Sequence, residues 1–76
     1  MSATARSLGT VVRAERARRQ LSQEALASLA GMHRNYLGAI ERDEIRNPTL
    51  STIRRIAAAL DMPISTLFAE CEAATR

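Results

Sequence analysis

Three polar side chains in a row, His33, Arg34 and Asn35, precede an apolar set at helical spacing: Tyr36, Leu37 and Ile40, with Met32 just before. Imidazole, guanidinium and amide are good hydrogen-bonding groups, but nothing beside them makes a nucleophile. The one histidine and the one cysteine, Cys71, lie far apart in the chain. No Ser-His-Asp, Cys-His or paired-carboxylate arrangement emerges, so the sequence predicts no enzyme and no cofactor. One His and one Cys do not make a metal site either. What remains is recognition. A short amphipathic helix that presents donors and a fixed cation at its N-terminal end can enter a DNA major groove.

Each group has a specific use there. Arg34 can grip guanine O6 and N7 with two hydrogen bonds, worth about 1–3 kcal/mol of discrimination. Asn35 suits adenine readout or a phosphate bond. His33 suits a phosphate contact or a partial helix cap. Tyr36 can pack on the core, or turn its hydroxyl to a phosphate and its ring to a thymine methyl. Ala39, one turn beyond Asn35, can touch a thymine methyl. These five are the candidate base-edge residues.

Five helices and no strand are predicted to position them. The first spans about Ala3 to Arg19, with Leu8, Val11 and Val12 on its inner stripe. Glu15, Arg16 and Arg19 fall near that inner face and need partners. The second starts at the cap Ser22 and ends near Ala30, with Leu26, Leu29 and Ala30 inward; Gly31 supplies the tight turn. The third runs from about His33 to Arg42. A polar loop, residues 43–48, is stopped by Pro48. Thr49 caps the fourth, whose inner positions are Leu50, Ile53, Ile56, Ala57 and Leu60. Asp61-Met62-Pro63 breaks the chain before a fifth, Ile64 to about Cys71. The segment Glu72 to Arg76 reads as frayed. The whole reads as one all-α domain over residues 1–76, with its ordered core at about 6–71.

The bulk composition agrees with that reading. A chain of 76 residues buries only about 60% of its unfolded surface, so stability is marginal or helped by a partner. The net charge is +3, and all eleven basic residues are Arg. Five of these, Arg6, Arg13, Arg16, Arg18 and Arg19, precede residue 20, a flank that suits a polyanion. No apolar run approaches the roughly 18 residues of a membrane span. No signal-peptide core opens the chain, so a cytoplasmic location with no membrane partner is expected.

The ordered series Leu8, Val12, Arg16, Leu21-Ser22-Gln23-Glu24, Leu26-Ala27, Ala30-Gly31, Tyr36-Leu37, Ile40-Glu41-Arg42, Asn47-Pro48-Thr49-Leu50, Ala59-Leu60 and Leu67-Phe68 resembles the Cro and phage-repressor type of helix-turn-helix. The resemblance covers about residues 6 to 69. Within that class, residues 32–42 look most like the controller proteins of restriction-modification systems. The resemblance implies a five-helix, lambda-repressor-like DNA-binding fold whose helix-turn-helix is made by helices 2 and 3. It also implies a transcriptional regulator acting as a homodimer on a palindromic operator in double-stranded DNA.

Site roles follow from the resemblance. Arg16 and Glu41 match a buried pair that ties the recognition helix to its support. Gln23 matches a glutamine that bonds the phosphate backbone and braces base-reading side chains. Ser22, Arg42, Arg46 and Asn47 join it as phosphate candidates, with Ser22 also a cap. Ile64, Leu67, Phe68 and Cys71 on the fifth helix are the expected dimer surface. Four departures stand out. Gln20 and Asp43 occupy places where the class usually has Gly, residues 43–46 make a loop about one residue longer, and His33 stands where Ser or Thr often caps. The rival reading is an antitoxin or other regulator that uses this fold to bind a protein.

Overall fold

The computed structural model describes residues 6–72. They form α1 (Leu8–Arg18), α2 (Gln23–Ala30), α3 (Arg34–Glu41), α4 (Leu50–Ala59) and α5 (Ile64–Glu72), with no strand among the described residues.

Local chemistry sets where each helix begins. Ser7, Ser22 and Thr49 cap α1, α2 and α4. Their side-chain oxygens accept hydrogen bonds from the backbone N–H of Thr10, Ala25 and Thr52 at 3.0, 3.0 and 3.1 Å. Such caps satisfy N–H groups that have no partner inside the helix. The predicted start of the first helix near Ala3 is corrected: Arg6 and Ser7 are non-helical, and Ser7 is the cap. Residues 3–5 of that expectation, and the tail beyond Glu72 expected to fray, lie outside the described residues.

One device ends the first four helices. In each, a residue in the left-handed region is followed by a backbone N–H that reaches back to the carbonyl five residues earlier. These bonds run Leu21 to Arg16, Met32 to Ala27, Glu44 to Ala39 and Met62 to Ala57. Only α2 uses glycine for this turn, Gly31 at φ 70°. Gln20, Asp43 and Asp61 hold the same conformation at φ 58°, 62° and 57°. A side chain makes that conformation unfavourable by roughly 1–2 kcal/mol, so packing on either side of these turns must hold them.

The core contains Val11 and Val12 from α1, Leu26, Ala27 and Ala30 from α2, and Leu37 and Ile40 from α3. Ile53, Ile56, Ala57 and Leu60 come from α4, and Leu67 from α5. Each large aliphatic side chain so buried contributes about 1.5–3 kcal/mol. The stem α1 packs on both α3 and α5, while α2 packs on α3 and α4. Two predicted inner positions are corrected. Leu29 is 64% exposed, because α2 turns the opposite flank of Leu26, that of the small Ala27, into the core. Leu50 is 52% exposed because it is the first residue of α4 and lies past the edge of the core. No helix among the described residues is long and apolar enough to cross a membrane.

Gly9 is a close approach that makes the α1–α3 packing possible. A Cβ there would stand 2.9 Å from the Glu41 carbonyl oxygen and closer still to that of Ile40. The beginning of α1 therefore lies directly on the last turn of α3. Ser7 reinforces this junction by donating its hydroxyl to Asp43 Oδ2 at 3.0 Å.

Candidate nucleic-acid interface

Recognition chemistry requires that α3 be fixed in place and that its polar end be open. The first condition is met by a clamp on Glu41. Arg16 Nε and Nη2 donate to Glu41 Oε2 and Oε1 at 2.8 and 3.0 Å, a two-pronged pair. Arg16 Nη1 donates to the Leu21 carbonyl at 2.8 Å. Gln23 Nε2 adds a bond to Glu41 Oε1 at 2.9 Å. One buried carboxylate thus joins α1, the start of α2 and the end of α3. Its side chain is 2% exposed. The Glu41 hydrogen bond holds the Arg16 guanidinium above its ordinary range, against the burial that opposes it. Planar bidentate pairs of this kind fix geometry as well as energy.

The second condition is met at the other end of the same helix. His33 caps α3: its Nδ1 accepts from the Asn35 backbone N–H at 3.0 Å. An accepting Nδ1 leaves the proton of the neutral ring on Nε2. Arg34 and Asn35 follow on the first turn, both exposed. Neither side chain has a hydrogen-bond or ion-pair partner among the described residues. Tyr36 is half-buried and packs against the core, and Ala39 is half-buried one turn on.

The phosphate candidates fall into different situations. Ser22 has its oxygen engaged in capping α2. Gln23 is half-buried with one amide N–H committed to Glu41, so it braces α3 whatever else it touches. Arg42 is exposed but doubly bonded to Glu44, Nε to Oε2 at 3.0 Å and Nη2 to Oε1 at 3.1 Å. That bond holds the Glu44 carboxyl below its usual range and the guanidinium above its own. Arg46 and Asn47 are exposed on the following loop.

On α5, the four expected surface residues separate. Leu67 is fully buried and belongs to the core, which corrects its assignment to a dimer surface. Ile64 and Cys71 are half-buried against the core, and Phe68 is 40% exposed. Among the described residues, no cluster of three or more His, Cys, Asp or Glu could hold a metal ion.

Sequence reasoning missed three features. Gly9 carried a signal, a lone glycine beside the apolar stripe of Leu8, Val11 and Val12. Glu44 carried none beyond its place in a polar loop. Glu15 was seen to need partners but not which ones. It is buried, bonded by Arg18 and Arg19 from its own helix, and meets Glu70 of α5. The bonds from Glu70 and then Arg19 hold the Glu15 carboxyl below its usual range, against burial. Glu70 shares the same bond and is pushed up, with burial adding to the effect.

Comparison with known proteins agrees with this fold. The helix-turn-helix family model matches residues 12–67. The control protein C.SmaI of Serratia marcescens is 48% identical over 56 residues, 74% of this chain and 66% of that protein. Further curated relatives are spanned over only 40–57% of their length. Among solved structures, the restriction-modification controller protein C.AhdI from Aeromonas hydrophila superposes with a TM-score of 0.76. It is 43% identical, covering 80% of this chain and 91% of that one. The biofilm master regulator SinR, solved in complex with DNA, also gives 0.76 at 31% identity, covering 80% and 97%.

Proposed function

The chain belongs to the helix-turn-helix family, and from that premise we propose that it is a sequence-specific regulator of transcription that reads double-stranded DNA with α3. The observation that carries this is the contrast between the two ends of that helix. Its C-terminal carboxylate is locked by Arg16 and Gln23, while Arg34 and Asn35 stand exposed at its N-terminal turn. A rigid support with free donors at its tip is what base-edge readout needs.

In this reading Arg34 reads guanine, and Asn35 reads adenine or bonds a phosphate. His33 offers its Nε2–H to the backbone. Tyr36 and Ala39 flank them. Gln23, Arg46, Asn47, Arg42 and Ser22 line the phosphate track. The protein acts by binding, without catalysis, metal or cofactor. One module of this size contacts few base pairs. A homodimer, with its two recognition helices about 34 Å apart, doubles the contacts and calls for a palindromic site. Phe68, with Ile64 and Cys71 behind it, supports α5 as the dimer surface. The likeness to C.SmaI and C.AhdI supports control of a restriction-modification system as the biological setting.

Selection of bound sequences from a random duplex pool tests the proposal. Enrichment of a symmetric site is the expected result. Arg34→Ala then flattens base preference at one position in each half-site, whereas Gln23→Ala weakens all sequences alike. A pool that yields no symmetric site would refute the regulator and favour a protein-binding role for the fold.

A further inference from the structure

The basic flank on α1 is largely neutralised from within. Arg18 and Arg19 both bond Glu15. Arg16 is committed to Glu41 and to the Leu21 carbonyl. On the far side of the clamp, Arg42 is held by Glu44. Arg13 differs from all of these: it is exposed, and among the described residues it has no carboxylate partner.

Arg13 precedes Arg16 by one helical turn, so both lie on the same edge of α1. That edge borders a cleft of about 330 Å³ lined by Arg13, Arg16, Gln23, Glu41 and Arg42. Three guanidiniums, one amide and one carboxylate make this lining. The carboxylate is buried and fully occupied by Arg16 and Gln23, so it offers no repulsion that is not already offset. Arg42 Nη1, the nitrogen not bonded to Glu44, lies against Gly38 beside the Gln23 amide. Gln23, the first residue of α2, belongs to the same lining. Together these groups line an open cleft of net positive charge with room to admit a phosphodiester.

We propose that Arg13 closes a single-phosphate pocket, holding one backbone phosphate in each half-site between α1 and Arg42. This rests on the DNA-binding reading above and adds a contact from α1 that neither the motif nor the resemblance assigned. The pocket positions the duplex and carries no sequence information, since a phosphate is the same at every step.

The test is the salt dependence of binding to the selected site and to a mixed-sequence duplex. Each phosphate neutralised contributes a slope of about 0.9 in log affinity against log salt. Arg13→Gln is expected to lower the slope by about 0.9 per bound protomer on both duplexes and to weaken both several-fold, with base preference unchanged. Arg13→Lys keeps the charge and should restore the slope. Arg18→Gln, which removes a cation already paired on the same helix, should leave the slope as it was. Far-UV melts of each variant report folding. Wild-type binding with an unchanged slope in Arg13→Gln, or an equal fall in Arg18→Gln, overturns the assignment of Arg13 alone. Absence of duplex binding by the wild type overturns it together with the regulator reading.

Discussion

Arg16→Ala exposes how much of this fold hangs on one carboxylate. Glu41 has a side chain 2% exposed, and Arg16 satisfies both of its oxygens. Removing the guanidinium leaves a buried anion with a single amide bond from Gln23. Breaking a buried pair from one side costs about 3–5 kcal/mol. The Leu21 carbonyl also loses its donor, about 1 kcal/mol more. A domain of 76 residues has a total stability of about 4–11 kcal/mol at the usual 0.05–0.15 kcal/mol per residue. The variant should therefore lose from about a third to all of its stability, and melt lower by about 4–8 °C for each kcal/mol where it still folds. Urea titration is the assay, with an unchanged slope confirming that stability rather than compactness has moved. The double variant Arg16→Met/Glu41→Leu should recover most of the loss, because paired apolar replacements remove the orphan charge. A loss below about 1 kcal/mol, the range of exposed ion pairs, would refute the reasoning.

Two further outcomes follow from the packing of α1. Gly9→Ala drives a methyl into the Ile40 and Glu41 carbonyls. Overpacking of this kind costs about 1–3 kcal/mol; a chemical-denaturation midpoint equal to wild type would show that the helices can separate freely. The Glu15–Glu70 contact makes stability depend on pH in two opposite directions. Glu70 is raised, so its contribution is complete below its ordinary value of 4.5 and is lost as pH rises through the folded value. Glu15 is lowered, so its contribution is present above 4.5 and is lost as pH falls through its folded value. Glu70→Gln keeps a permanent donor and should remove the decline on the high side only; parallel wild-type and variant curves from acid to neutral pH would contradict this.

The sequence carried most of the architecture because its signals were local. Ser22, Gly31, Pro48 and Thr49 marked ends, and the apolar period marked faces. Arg16 and Glu41 were legible as a pair only through the spacing of a whole family series, since they are 25 residues apart. What was illegible depended on which way short helices roll. With eight residues in α2, Leu29 and Ala27 compete for one apolar face, and only the close approach of neighbouring helices decides for the smaller. Leu67 reads as surface or core alike until α1 and α4 are placed beside it. The Glu44 bond to Arg42 joins two exposed side chains in a loop, where no periodicity exists to announce it.

The left-handed exits at Gln20, Asp43 and Asp61 bear on how portable the reading edge is. None of these turns is imposed by its own residue, and isolated helices shorter than about 12–15 residues are marginal in water. A peptide cut out as residues 21–42 would carry Arg34 and Asn35 but neither Arg16 nor Gly9, and would stop short of the turns at Gln20 and Asp43 that hold its two ends against α1 and the following loop. Grafting specificity onto another scaffold therefore means transplanting α1 with it.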